Sequence, residues 1–226
     1  MNQQLYQLKS VITACSACTL RKEARLPVPY EVVDDGTEKI LCVGTSPGKT
    51  DNEQNKPFVG EPGQVLEKIW KEIGFKRSDF FLTNFLKCHS SDIRPPTERE
   101  ISICSDRFFS REKNLSGSRL VVTLGHLVSV HVSGVPFQNG QIVPITIGRG
   151  EEKKGAFCCT IYHPLHIVKD GSKYPEYLET WKGVKKIWEK LNAPPTEKIE
   201  DKDFIYGQAP LLDRVVKGNY LLRKNQ

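Results

Sequence analysis

Four of the seven cysteines in this 226-residue chain stand where metal chemistry would use them. Cys15 and Cys18 form a C-x-x-C pair, and Cys88 and Cys104 follow with fifteen residues between them. Brought together, the pairs offer four thiolates, the ligand number of a tetrahedral zinc site or an iron–sulfur cluster. Spacing does not choose between these, nor does it exclude four unrelated buried thiols. Cys42, Cys158 and Cys159 lie inside apolar runs and read as small core residues. The start, "MNQQLYQLKSVITACSACTL", lacks the basic, apolar and small-residue succession of a secretory leader. An intracellular chain, cytoplasmic or nucleoid-associated, is therefore expected, and metal or redox use rather than a disulfide framework.

A second candidate is "GTSPGKTDNEQNKPFVGEPG", residues 44–63, with four glycines and three prolines. It follows the apolar run Ile40 to Val43 and precedes a helical run from Gln64 to Ile73. Strand-to-helix connections usually take about 2–6 residues, so a loop this long is expected to hold something.

The elements that must position these groups follow from periodicity. Residues 39–44, 80–86, 119–125 and 157–162 are unbroken apolar runs, as in strands covered on both faces. Helical patterns lie between and after them. Val65, Leu66, Ile69, Trp70 and Ile73 share one stripe, stopped by Gly74. Thr97 and Glu100 form a capping box after Pro95–Pro96. Leu178, Trp181, Val184, Trp188 and Leu191 recur at helical spacing. Strands alternating with helices predict an α/β domain with a mainly parallel sheet. Ligands of such sheets sit beyond the carboxyl ends of the strands. The glycine–proline loop, Asn84 and His163 all fall at such ends, so three loops are expected to meet at one rim. Residues 1–192 read as the domain, and 193–226 as a polar extension ending in a short docked helix, "LLDRVVKGNYLL". The formal net charge of +6 permits a nucleic-acid partner without requiring one. The most apolar stretch, residues 120–132, is too short and too polar to cross a membrane.

Seven motifs in order carry a resemblance: C-x-x-C-x-L (15–20), G-x-x-P-G (44–48), P-F-V-G (57–60), T-N-x-x-K-C (83–88), R-x-P…E…C (94–104), L-G (124–125) and Y-H-P (162–164). Together they resemble the family-4 uracil-DNA glycosylases, the iron–sulfur branch of that superfamily, over about residues 12–190. The resemblance implies a three-layer α/β/α sandwich around a four-stranded parallel sheet. It implies a [4Fe–4S] cluster on Cys15, Cys18, Cys88 and Cys104, structural in role. It also implies a monofunctional hydrolase that cuts the N-glycosidic bond of uracil in single- or double-stranded DNA. The enzyme would act as a monomer with no catalytic metal or soluble cofactor.

Under that resemblance each site residue has a chemical task. Phe58 is expected as an exposed stacking ring for a base drawn out of the helix. Asn84 carries a donor and an acceptor, which match O4 and N3–H of uracil and mismatch cytosine. His163 would donate to the O2 anion of the leaving base, as an oxyanion hole does. Backbone and side-chain groups at Gly44 and Ser46 would bind the base or a phosphate. Leu165, His166 and Ile167 would form an apolar tip that wedges into DNA, with Lys169 and Lys173 on phosphates. Lys87 and Arg94 are further basic candidates near the cysteines.

The chain departs from the family pattern at three places. The family's G-E-A-P-G has its carboxylate where this chain has Thr45, which offers a hydroxyl without charge. The following E-D is Asp51–Asn52, with Asp51 expected near the C5 edge of the base, open to a larger 5-substituent. H-P-S becomes H-P-L. Losing one positioned acid or base costs about 10²–10⁴-fold in rate, so weakened catalysis, or a uracil-binding protein on a glycosylase scaffold, is the competing expectation.

Overall fold

The computed structural model describes residues 3–89, 94–148 and 153–193. The proposed extension, with its docked helix, lies outside the described residues except for Ala193. Strand β1 (Ile40–Gly44) sits between β2 (Phe80–Asn84) and β3 (Leu120–Leu124), all parallel, and β5 (Lys154–Ile161) extends the sheet beyond β3. A fifth strand, β4 (Gln141–Ile147), pairs antiparallel with β5 and closes that edge, giving the order β2-β1-β3-β5-β4. The expectation of four parallel strands is thus corrected by one antiparallel edge. β4 was hidden because Pro144 interrupts it and most of its residues are only half-buried, as an edge strand tolerates. The opposite edge is capped at Glu31, whose backbone exchanges two hydrogen bonds of 2.8 Å with Leu82.

Every residue of β1, β2 and β3 is buried, the reason their sequences are unbroken apolar runs. Alternate residues feed two cores. Ile40 and Cys42 pack with α4 (Glu61–Ile73) and α9 (Tyr174–Asn192) through Leu66, Trp70, Tyr177 and Trp181. Leu41 and Val43 pack on the other face with α1 (Gln3–Thr13), which the sequence reading passed over, and with Phe108 and Phe109. Those phenylalanines lie in a π-helical turn, Ser105–Phe109, between α5 (Glu98–Cys104) and α6 (Ser110–Ser116). Three short helices complete the described chain before the last strand's loop: α2 (Leu20–Glu23), α3 (Lys49–Gln54) and α7 (His126–Ser133). After β5 comes α8 (Leu165–Lys169). The capping box predicted at Thr97 is present, with Glu100 N–H on Thr97 Oγ1 at 3.3 Å and Thr97 N–H on Glu100 Oε2 at 2.9 Å.

The chain runs from β1 out to β2 and returns to β3 on β1's other side. The strand order therefore reverses at the β1/β3 boundary, where the carboxyl ends open a crevice in such sheets.

Candidate active site

Gly44 ends β1, and two side chains lie against it. A Cβ on Gly44 would stand 2.4 Å from Asn84 Oδ1 and 2.9 Å from the Phe58 ring. Only a glycine leaves room for both. Asn84 ends β2 in register with Gly44, so the parallel ladder delivers the amide to this point. Its side chain is buried, yet Nδ2 has no hydrogen-bond partner among the described residues. Leaving a buried donor unpaired costs about 1–3 kcal/mol, a cost that a bound acceptor would remove.

Phe58 is not the exposed ring expected from the sequence. It is 4 % exposed and belongs to the core around Trp70 and Leu66, so it forms a floor at Gly44. Its backbone sits in the left-handed region, at φ 55°, which bulky residues adopt only when held. The holders are visible on both sides. Arg77 donates to the carbonyl oxygens of Pro57 at 2.6 Å and Phe58 at 3.1 Å. Arg77 is in turn fixed by Glu31 at 2.7 Å and Glu67 at 2.7 Å. Beyond the ring, Val59 N–H and Gly60 N–H donate to Asp51 Oδ1 at 2.8 and 3.3 Å, and Gly48 N–H donates to Oδ2 at 3.0 Å. Gly63 completes the brace: a Cβ there would lie 2.0 Å from the Phe58 carbonyl oxygen. Asp51 therefore has a task the sequence did not announce. Its carboxylate draws the two ends of the long loop together.

Across the crevice, Gly125 follows β3 with φ 99°, a conformation that favours glycine. A Cβ on Gly125 would lie 3.2 Å from His163 Cβ and 3.7 Å from Thr45 Oγ1. Thus Thr45, next to Gly44, meets His163 at this residue, and the three loops converge as expected. Ser46 is half-buried in the same turn. His89, which carried no motif support, donates from Nδ1 to the Pro47 carbonyl oxygen of this turn at 2.9 Å, since a carbonyl oxygen can only accept.

His163 is neutral by construction. Desolvation lowers its pKa to about 4, partly countered by the negative charge of Asp51. Its Nδ1 accepts the Leu165 N–H at 3.2 Å, which places the ring proton on Nε2. The site thus holds an uncharged imidazole with one N–H to give.

The residues past His163 divide. Leu165 is 40 % exposed, and His166, Lys169 and Lys173 are exposed. Ile167 is 7 % exposed and packs in the core, so it is not part of an apolar tip. The periodicity of α8 explains the correction, since Ile167 faces inward where Leu165 and His166 face out.

The four cysteines gather on the other side of the sheet. Cys15 and Cys18 pack against the core that contains Cys88 and Cys104. Burial, with the charges of neighbouring cysteines, raises Cys88 to about 12 and Cys104 to about 11. Burial also raises Cys18, opposed by N–H groups of Leu20 and Arg21 that donate to its sulfur. The Lys87 N–H does the same for Cys104. Among the described residues, no group of three or more His, Cys, Asp or Glu side chains is placed to hold a single metal ion. Beside Cys18, Thr19 Oγ1 donates to Glu100, and Arg94 bridges Glu100 at 2.9 Å and Glu23 at 2.8 Å. Arg94 holds the Glu100 carboxyl down to about 2. Between cysteines and pocket lies a fully buried ion pair, Lys87 Nζ to Glu112 Oε2 at 2.6 Å. The same ammonium donates to Thr83 Oγ1 at 2.8 Å and to the Asn84 carbonyl oxygen.

Comparisons with known proteins identify a family. The model of the uracil DNA glycosylase superfamily matches residues 31–192. A type-4 uracil-DNA glycosylase of Pyrobaculum aerophilum is 32% identical over 171 residues, 73% of this chain and 85% of the relative. One from Saccharolobus solfataricus is 27% identical over 214 residues, 92% of this chain and 93% of the relative. One from Sulfurisphaera tokodaii is 28% identical over 165 residues, 71% and 74% of the two chains.

Proposed function

This chain belongs to the uracil DNA glycosylase superfamily, and we propose that it hydrolyses the N-glycosidic bond of uracil in DNA, leaving an abasic site. The observation that carries this reading is the convergence at the β1/β3 crevice: Phe58 and Asn84 on Gly44, Thr45 and His163 on Gly125. Extruding a base costs a few kcal/mol, which stacking and hydrogen bonds in the pocket return. Phe58 supplies the apolar floor. The unpaired Asn84 Nδ2 donates to uracil O4, and Oδ1 accepts from N3–H; cytosine presents the reverse pattern.

When the bond from C1′ to N1 breaks, its electron pair stays with the base and the charge spreads to O2. The His163 Nε2–H donates there. A neutral donor needs no proton transfer to do this, and the lowered pKa keeps it neutral throughout the physiological range. Water adds its hydroxyl to C1′, and its proton balances the uracil anion. Thr45 orients that water without charge. Asp51 keeps Phe58 in place and adds a negative charge near His163. Leu165 fills the space vacated in the strand, while His166, Lys169 and Lys173 face the backbone. No lysine adds to C1′ in this reading, and a monomer acting inside the cell suffices. No helix among the described residues is long and apolar enough to cross a membrane.

Cys15, Cys18, Cys88 and Cys104 would hold a [4Fe–4S] cluster. The fit rests on four cysteines packed at one corner of the same core, with backbone N–H donors aimed at Cys18 and Cys104, the environment that tunes such clusters. A cluster is larger than one ion and accommodates thiolates spaced more widely than zinc does. It would tie the N-terminal segment to the loop after β2.

A labelled uracil-containing oligonucleotide tests the function directly. Alkaline strand cleavage and mass analysis of released bases are expected to show abasic sites and free uracil. Binding with neither product overturns the enzyme reading. It favours a binding protein instead, an outcome to which Thr45 lends weight.

A further inference from the structure

Four aromatic rings outside the pocket form a continuous row at the same rim. His126 contacts Phe137 with ring centres 5.9 Å apart, Phe137 contacts Tyr162 at 5.4 Å, and Tyr162 stacks on His166 at 4.9 Å and 27°. They come from separate segments: the start of α7, the α7–β4 connection, the residue after β5, and α8. Nothing in base reading or bond cleavage uses them. The row nevertheless runs beside the pocket, because His126 follows Gly125, and Tyr162 and His166 stand on either side of His163 in the chain.

Core aromatic clusters in this chain are buried; this one is not. His126 and His166 are exposed, and Phe137 and Tyr162 are half-buried. The row opens onto a cavity of about 170 Å³ lined by Asn139, Tyr162, His166 and Lys173 among others. Lys173 lines that cavity beside Glu176, and Lys169 is exposed on α8 three residues from His166, so a polyanion that followed the rings would meet cations near their end. Aromatic faces with neighbouring lysines are how proteins bind unpaired nucleotides without reading their identity. A duplex hides its base faces in its own stack. An unpaired strand does not.

We propose that His126, Phe137, Tyr162 and His166 form a stacking track for the unpaired nucleotides that flank the target base in single-stranded DNA. The track rests on the reading of uracil-containing DNA as substrate. It adds to that reading a preference for single strands, carried by contacts away from the reacting atoms.

The test places fluorescent 2-aminopurine beside a target deoxyuridine whose 2′-fluorine blocks bond cleavage, so that binding is read without turnover. Phe137→Leu keeps an apolar side chain against Tyr162 but removes the ring; Phe137→Tyr restores one. Wild type and Phe137→Tyr are expected to quench the fluorophore. Phe137→Leu is expected to lose the quench and to weaken single-strand binding roughly tenfold, the lower range for one base–aromatic stack. His126→Ala is expected to act in the same direction. Binding to the same sequence as duplex, and uracil release from that duplex, should stay unchanged in both variants. An unaltered single-strand affinity and quench in Phe137→Leu and His126→Ala overturns the proposal. So does an equal loss on single strand and duplex, which marks damage to the fold. Tight, ring-dependent binding by a wild type that releases no uracil from ordinary substrate would leave the track standing and sink the glycosylase reading alone.

Discussion

The cysteine corner and the base pocket lie on opposite sides of one short segment, Thr83 to Cys88, and are held by different forces. The corner is fixed by side-chain charge: Lys87 on Glu112, Arg94 on Glu100 and Glu23, and four thiols. The pocket is fixed by backbone: glycines with no room for a Cβ, carbonyl oxygens gripped by Arg77, and N–H groups gathered by Asp51. A site that must match a flat base within fractions of an ångström gains from rigid main chain. A corner proposed to hold a charged inorganic group gains from charges already paired. Damage to the corner should therefore appear first as lost stability, and damage to the pocket as lost rate.

The largest effect is expected at Glu112. Both it and Lys87 are at most 1% exposed, and removing one partner strands the other charge. Glu112→Ala should destabilise the fold by about 3–5 kcal/mol, measured by denaturant unfolding. The double variant Lys87→Met/Glu112→Leu removes both charges and should recover most of that loss. An unchanged unfolding midpoint in Glu112→Ala would break the contrast drawn here.

His163 is the counterpart in the pocket. His163→Ala should lower kcat about 10²–10³-fold, the usual cost of one donor to a developing anion, with the unfolding midpoint nearly unchanged. The pH profile sharpens this. Free histidine protonates near 6.5, whereas His163 in the fold protonates near 4. On acidification the unfolded chain takes up this proton first. The group's contribution to stability is complete above about pH 6.5 and drains away as the pH falls toward 4. The acid limb of kcat/KM should accordingly lie near pH 4 rather than 6.5. A limb near 6.5 that vanishes in His163→Ala would mean an imidazole in ordinary solvation.

Much of this contrast could be read from the residues, and the remainder shows where reading fails. Buried parallel strands announce themselves as unbroken apolar runs, so β1, β2, β3 and most of β5 were legible. β4 was not, because a half-buried antiparallel edge with a proline has neither continuous apolarity nor clean alternation. Motif order and strand ends located Asn84, His163 and the cysteines. The burial of Phe58 was invisible: a phenylalanine between glycines looks exposed unless the left-handed backbone that turns it inward is known. Arg77 and Glu31 were missed for a related reason. Their work is on carbonyl oxygens 19 and 20 residues away and on each other across 46 residues, and no local pattern records such contacts.

Arg77 gives the smallest and most discriminating effect. It touches the backbone of Phe58 but no side chain assigned to uracil, and acts only through the shape of residues 57 and 58. Arg77→Lys keeps the charge for Glu31 but cannot reproduce the forked grip on two carbonyl oxygens. Hydrogen bonds from a charged donor are worth about 1.5–3 kcal/mol, and lysine retains part of that. The expected result is a fall in kcat/KM of about tenfold, equivalent to ~1.4 kcal/mol. The visible absorbance expected of the proposed cluster should be untouched, because the change lies on the other face of the sheet. If the backbone at Phe58 holds its left-handed turn without help, the variant will match wild type on every substrate. In that event the rigidity of the pocket must be assigned to Asp51 and Gly63 alone.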